Sequence, residues 1–187
     1  MGKLILASAS PNRRQILERA GIDFDWMVSA ADESAQGLEP AELVLELSRR
    51  KMEAVLQRCD PDDTIVAADT VVSICGEIIG KPHSAEEARR FLHLLSGTTH
   101  VVYTGVSIAY RDRRRSFYQA TDVRFYPLSE EEIEKYIESG EWHGKAGGYG
   151  IQGPAALFVE GITGDYNNIF GLPAAQLMRE IREMKEE

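Results

Sequence analysis

Between residues 144 and 153 five of ten positions are glycine, and nine of the chain's sixteen glycines fall between Gly140 and Gly171. No other feature of the 187 residues constrains the fold as tightly. Each glycine costs conformational entropy on folding, so such crowding disfavours a core helix or strand. It suits backbone that must come close to a ligand. In Lys145-Ala146-Gly147-Gly148-Tyr149-Gly150-Ile151-Gln152-Gly153 the remaining side chains include an ammonium from Lys145 and an amide from Gln152. Apolar residues recur on both sides of the segment, which marks a site in a folded domain rather than a tail.

Around that segment helical and strand patterns alternate. Residues 3–8 read as a buried strand, 11–20 as a helix, 24–28 as a short strand and 40–59 as a long amphipathic helix. Residues 64–74 are apolar and β-branched, and Gly76-Glu77 offers a turn into Ile78-Ile79. Ser84-Ala85-Glu86-Glu87 and Ser129-Glu130-Glu131-Glu132 match the capping box, predicting helices that run to about Leu95 and Ser139. Residues 101–110 and 116–126 read as strands joined by the basic turn Arg111-Asp112-Arg113-Arg114-Arg115. A strand over 156–162 and a helix from Ala174 complete the pattern, which predicts a mixed α/β class with a partly antiparallel sheet. A single domain over 1–187 is expected, since the chain is long enough for its own core.

Charge and cysteine content narrow the partners. A net charge of −9 disfavours a duplex nucleic-acid surface, which needs clustered Lys and Arg. No apolar run reaches the roughly 18–20 residues of a membrane span, and the N-terminus reads as a strand rather than a signal peptide. Cys59 and Cys75 have no metal-ligand spacing and are too few for a disulfide framework, so a cytoplasmic setting is expected. His83, His93, His100 and His143 are too scattered for a histidine metal cage. Gly148-x-Gly150-x-x-Gly153 matches the dinucleotide fingerprint as a string, but that motif must follow a strand and open a helix. Here Pro154 leads onward instead, which disfavours a nicotinamide or flavin cofactor.

Three places can carry chemistry. In Ser8-Ala9-Ser10-Pro11-Asn12-Arg13-Arg14 a strand turns into a helix N-terminus, with Ser10 as N-cap and Pro11 in the first turn. Free N–H groups, the serine hydroxyls and the Arg13 fork favour an anion there. A well-capped helix with solvated arginines reads equally well. In Ala67-Ala68-Asp69-Thr70-Val71-Val72 a carboxylate interrupts an apolar strand, where burial excludes charge unless it is paired, metal-bound or chemically needed. The alternative is an aspartate capping a strand end. The third place is a set of lysines. Lys51 shares a helical stripe with Leu43, Val44, Leu47, Ala54 and Val55, so it either snorkels outward or points at anions. Lys81 follows a strand and precedes Pro82, where a surface role fits as well as a functional one.

Taken together these segments resemble the Maf family of nucleoside triphosphate pyrophosphatases. The resemblance runs through Leu4-Ile5-Leu6-Ala7-Ser8-Ala9-Ser10-Pro11 with Arg13, Asp32-Glu33 with Lys51, Ala68-Asp69-Thr70-Val71-Val72 and Gly80-Lys81-Pro82. It continues in Leu95-Ser96-Gly97 with His100, Thr104-Gly105-Val106, the 145–153 segment, and Gly164-Asp165-Tyr166 through Gly171-Leu172-Pro173.

The resemblance implies an elongated two-lobed Maf/ITPase-like fold with a central cleft. It also implies hydrolysis of a nucleoside triphosphate between the α- and β-phosphates with a divalent metal cation, Mg²⁺ or Mn²⁺. Asp69 is then the catalytic carboxylate and a metal ligand, assisted by Glu33. Ser8, Ser10, Asn12, Arg13, Lys51, Thr70, Lys81, Lys145 and Gln152 are the implied substrate-binding residues. The sequence around Asp69 and Gln152 is similar to the dTTP and UTP branch rather than the 7-methyl-GTP branch. The Gln152 amide can donate to a uracil O4 and accept from N3–H; turned by half a turn it suits cytosine, so a pyrimidine preference is expected. Asn12 stands where the branch usually carries arginine, and Gly144 where family members carry an acid. A homodimer is implied as well. A nucleotide-binding regulator of cell division, with no need for turnover, is the alternative that a phosphate cradle leaves open.

Overall fold

A computed structural model describes residues 2–186; Met1 and Glu187, the two ends of the expected 1–187 domain, lie outside the described residues. In chain order the elements begin with β1 (Leu4–Ala7), α1 (Pro11–Arg19), β2 (Asp25–Met27) and α2 (Pro40–Leu56). Next come β3 (Thr64–Ile74), β4 (Glu77–Ile79), α3 (Ala85–Leu95), β5 (Thr99–Tyr110) and β6 (Arg113–Phe125). The chain ends with α4 (Glu130–Glu138), two 3₁₀ turns (Ala146–Gly148 and Pro154–Phe158), β7 (Val159–Thr163), α5 (Tyr166–Ile169) and α6 (Ala174–Glu186). The strand order is β2-β1-β3-β5-β6-β7, with β4 paired to β3. Parallel pairs β1–β2 and β1–β3 coexist with antiparallel pairs β3–β4 and β6–β7, so the sheet is mixed. No helix among the described residues is long and apolar enough to cross a membrane.

The chain gathers into two compact units. The first comprises Met1–Asp69, Thr104–Gln119 and Gly171–Glu187. In it Ile5, Ala7, Met52, Val55, Ile65, Ala67 and Ala109 form an apolar cluster that joins α2 to the sheet. Helix α2 lies unusually close to β5, because a methyl group on Gly105 would fall 2.3 Å from the Val44 carbonyl oxygen. One turn along, the buried Ser48 hydroxyl meets Ser107 Oγ at 2.9 Å, and Ser107 meets Ser116 at 2.9 Å. These hydroxyls satisfy one another where α2 meets β5 and β6.

The second unit comprises Thr70–Tyr103 and Ala120–Phe170. Its core packs Phe91, Leu92 and Leu95 of α3 and Ile133, Tyr136 and Ile137 of α4 against Val72, Val102 and Phe125 of the sheet. Ser129 forms the full capping box with Glu132. At α3 Ser84 Oγ accepts from Glu87 N–H at 3.1 Å, while the Glu87 carboxylate returns to His83 N–H, one residue earlier than the motif predicts.

Several sequence expectations are corrected. The basic turn is only Arg111-Asp112; Arg113 to Arg115 belong to β6. Alternation puts Arg113 and Arg115 on one face, where Arg115 bridges Glu180 and Glu183 and Arg113 donates to the Met184 carbonyl. A cation against the last carbonyls of α6 complements the helix dipole. The expected strand over 156–162 starts only at Val159, because Pro154 opens a 3₁₀ turn whose buried residues Ala155 and Phe158 are three apart. On α2 Ala54 is exposed and Met52 takes the buried place.

The glycine segment is not a loop outside the core. Gly147, Gly148, Tyr149, Gly150 and Ile151 are all buried. Gly147 and Gly148 take φ of +69° and +73°, and a methyl on Gly147 would meet Val72 at 2.9 Å. Left-handed backbone pressed against a neighbour requires glycine here without any ligand.

Candidate active site

Strand β3 presents Asp69 after the buried run Ile65, Val66, Ala67 and Ala68, and Asp69 itself is 8% exposed. A carboxylate so placed needs a partner. Lys51 supplies it: Nζ lies 2.6 Å from Asp69 Oδ1 and 3.0 Å from Glu33 Oε2. The Lys51 side chain is only 11% exposed, so it does not snorkel outward. Glu33 is more open, at 59% side-chain exposure. Its loop is tacked to α2 by Arg50, which donates to the Ser34 carbonyl at 2.8 Å and the Asp32 carbonyl at 3.4 Å. Within the loop the Asp32 carboxylate accepts from Ser34 N–H and Oγ, and these bonds hold it below the usual carboxylate range.

Because β1 runs parallel to β3, the Ser8–Ser10 turn leaves the sheet at the end where Asp69 stands. Ser10 caps α1 through a long 3.5 Å bond from Arg13 N–H. Ser8 Oγ accepts from Ser10 N–H at 3.1 Å and from Arg13 Nη1 at 3.2 Å. Arg13 Nε donates to the Gly171 carbonyl at 2.8 Å. Arg13 as a whole is 9% exposed, so the reading of a solvated arginine is replaced by a buried, anchored one. Burial draws its pKa down, while the charges of Asp69 and then Glu33 raise it. Arg14 instead stacks over the Trp26 ring at 4.2 Å. Asn12 sits half-buried in the first turn of α1. The first unit thus assembles two cations, Arg13 and Lys51, with two carboxylates, Asp69 and Glu33, into a balanced cluster.

Thr70, Lys81, Lys145 and Gln152 belong to the second unit. Lys81 is exposed directly after Gly80, whose carbonyl accepts from Gly147 N–H at 2.8 Å. Lys145 donates to the Glu141 carbonyl and meets the Glu141 carboxylate at 3.3 Å. Its aliphatic stem runs over Gly150, where a methyl would lie 2.7 Å from Lys145 Cε and 3.3 Å from Gln152 Nε2. Lys145 and Gln152 therefore flank one glycine, and the Lys81 strap is tied to the same segment. Gly144 takes φ of +70°, a conformation that an acid at this position would strain.

Three contributors escaped the sequence reading. The Gly171 carbonyl has no local signature, since it lies 158 residues from Arg13. Arg50 and Glu141 were legible in principle, as Glu46/Arg50 and Glu141/Lys145 are acid-before-base pairs four residues apart.

Known proteins resemble this chain along nearly its whole length. The family model described as Maf-like protein matches residues 3–184. The chain is 45% identical over 201 residues to a dTTP/UTP pyrophosphatase of Agathobacter rectalis, covering 98% of both chains. It is 45% identical over 184 residues to one from Bacillus cereus, covering 98% of this chain and 96% of that one. For a Bacillus anthracis protein of the same name the figures are 44% over 184 residues, 98% and 96%. Among solved structures, the Staphylococcus aureus Ham1 protein aligns at a TM-score of 0.47 and 15% identity, covering 65% of this chain and 71% of that one. That last likeness is too slight to carry weight beside a family match that spans nearly every residue from β1 to α6: the chain belongs to the Maf-like protein family.

Proposed function

We propose that the protein hydrolyses dTTP and UTP to the nucleoside monophosphate and pyrophosphate, removing pyrimidine or modified nucleotides before a polymerase uses them. The full-length likeness to relatives named dTTP/UTP pyrophosphatase supports the activity. The observation that carries the chemistry is the Lys51 ammonium shared by Asp69 and Glu33. A nucleotide-binding regulator without turnover is not favoured, because nothing in that role calls for a carboxylate held so tightly inside a strand.

Hydrolysis of the α,β-anhydride adds water across one P–O bond. Lys51 fixes the orientation of the Asp69 carboxylate, which accepts the proton of the attacking water. Arg13, already desolvated and anchored by Ser8 and Gly171, presents its charge to phosphate oxygens without reorganising. Lys51 and Lys81 add charge to the phosphates, and Gln152 reads the base edge with Lys145 beside it. Ser8, Ser10, Asn12 and Thr70 complete the binding residues of this proposal.

Asp69 and Glu33 also fit a divalent cation. Their oxygens already converge on one positive atom at 2.6 and 3.0 Å. Mg²⁺ is ordinarily held by one or two carboxylates with water and substrate phosphates completing the shell. Bound there, Mg²⁺ or Mn²⁺ supplies positive charge that offsets the phosphate oxygens. The same proposal places the enzyme in the cytoplasm as a homodimer, with no nucleic-acid or membrane partner; the free thiols of Cys59 and Cys75 suit that setting.

The test is incubation of the purified protein with UTP, dTTP, CTP and 7-methyl-GTP in Mg²⁺ or Mn²⁺, with products resolved by ion exchange. Monophosphate and pyrophosphate in equal amounts, fastest from UTP and dTTP, are expected. Orthophosphate as the first inorganic product, or tight binding with no product, overturns the proposal.

A further inference from the structure

Inside the second unit the His100 side chain is fully buried on β5 and belongs to none of the groups assigned above. Its Nε2 lies 2.7 Å from the Tyr149 hydroxyl, while Nδ1 is buried with no hydrogen-bond partner. The His100 ring stands edge-on to Phe125 at 4.9 Å and to Tyr149 at 5.4 Å; Phe125 and Tyr149 are also edge-on at 4.9 Å. Burial pushes the histidine down to about 4 and raises the Tyr149 phenol, so both are neutral at pH 7.

A pair like this is a poor way to gain stability. Two apolar rings of the same shape would fill the space without desolvating polar groups and without orphaning Nδ1. What the pair adds is direction. Tyr149 is the one aromatic residue among Gly147, Gly148 and Gly150, whose backbone has little stiffness of its own. A hydrogen bond from the ring tip to a strand sets how deep Tyr149 inserts and how its backbone is turned. Gly150 follows directly, with Lys145 and Gln152 laid over it.

We infer that His100 and Tyr149 are positioning residues that hold the 145–153 segment in register, so that the Lys145 and Gln152 side chains meet the nucleotide base at fixed positions. The inference rests on the pyrimidine-reading role proposed for Gln152. Neither residue is among those assigned to the phosphates, so the pair is assigned to substrate affinity and base choice rather than to the chemical step. Tyr149→Phe keeps the ring and removes only the hydroxyl; His100→Gln keeps a hydrogen-bonding side chain on the strand.

The experiment is a kinetic cycle with UTP and CTP on the full-length protein, comparing Tyr149→Phe, Gln152→Ala and the double variant, with thermal melting of each. Tyr149→Phe is expected to raise KM for UTP about tenfold, the equivalent of one lost hydrogen bond, with kcat within about threefold. Its UTP-over-CTP preference falls, and the double variant is no worse than Gln152→Ala alone. His100→Gln recovers most of the KM that His100→Leu loses. Unchanged KM and base preference in Tyr149→Phe while Gln152→Ala raises KM, or additive effects in the double variant, overturns the positioning role alone. Unchanged KM in Gln152→Ala overturns the base-reading role and the inference with it. A fall in kcat in step with a lower melting temperature leaves a purely structural pair and also overturns it.

Discussion

Asp69 is the residue on which the chemistry turns, and its surroundings make it separable from the fold. Asp69→Asn preserves shape and a hydrogen-bond acceptor for Lys51, so the protein should fold while turnover drops about 10²–10⁴-fold, the loss expected for a general base. Steady-state pyrophosphate release together with circular dichroism checks this, and near wild-type turnover would remove Asp69 from the mechanism. Asp69 was legible in the sequence because an ion inside an apolar strand is costly anywhere. Lys51 was legible only by half: its stripe on α2 was visible, but the choice between outward and inward depended on which charges α2 lies near. Glu33 entered through resemblance, as an exposed carboxylate in a loop carries no pattern of its own.

At the level of elements, Gly105 sets how closely α2 approaches the sheet, and α2 carries Lys51. Because the atom in the way is the Val44 backbone oxygen at 2.3 Å, a new methyl forces the helix itself to move. Gly105→Ala is therefore expected to cost about 1–3 kcal/mol of stability as overpacking. Activity should fall further than the folded fraction explains, since displacement of a catalytic group by about 1 Å costs up to about 10²-fold. Urea titration followed by assay under fully folding conditions separates the two effects; intact activity with lowered stability would detach α2 placement from catalysis. Local signals were read well at this scale wherever they are self-contained. The Ser129 capping box and the Pro11 helix start depend on a few consecutive residues. The 154–158 turn was missed because its sign is a spacing of three between Ala155 and Phe158, which in so short a run resembles strand residues. The burial of the glycine segment was illegible for a different reason. Positive φ and tight packing demand glycine just as a nearby ligand does, and only the positions of Val72 and Pro82 distinguish the two.

For the molecule as a whole, acid is a predicted weakness. The unfolded chain protonates His100 near its ordinary 6.5, whereas the folded chain refuses that proton until about pH 4. Below 6.5 the unfolded state therefore binds more protons, and stability falls as the pH drops from 6.5 to 4 before levelling off. At pH 5.5 the loss from this one group is on the order of 1 kcal/mol. Denaturant unfolding at pH 7.5 and 5.5 should show a pH loss smaller by about 1 kcal/mol in His100→Gln than in the parent, and equal losses would count against it. Mixed α/β architecture was legible from alternating patterns, whereas two lobes were expected only through the resemblance and the limits of the two units were not legible. Three of the four limits fall inside β3, β5 and β6, where no break in composition marks them, and the fourth falls at Phe170/Gly171 between α5 and α6. The same scattering of parts along the chain governs Arg13. Its Nε is held by the carbonyl of residue 171, so a nascent chain must have emerged past that residue before this bond can hold the charge in place. A product released before residue 171 lacks the clasp that readies the arginine for phosphate.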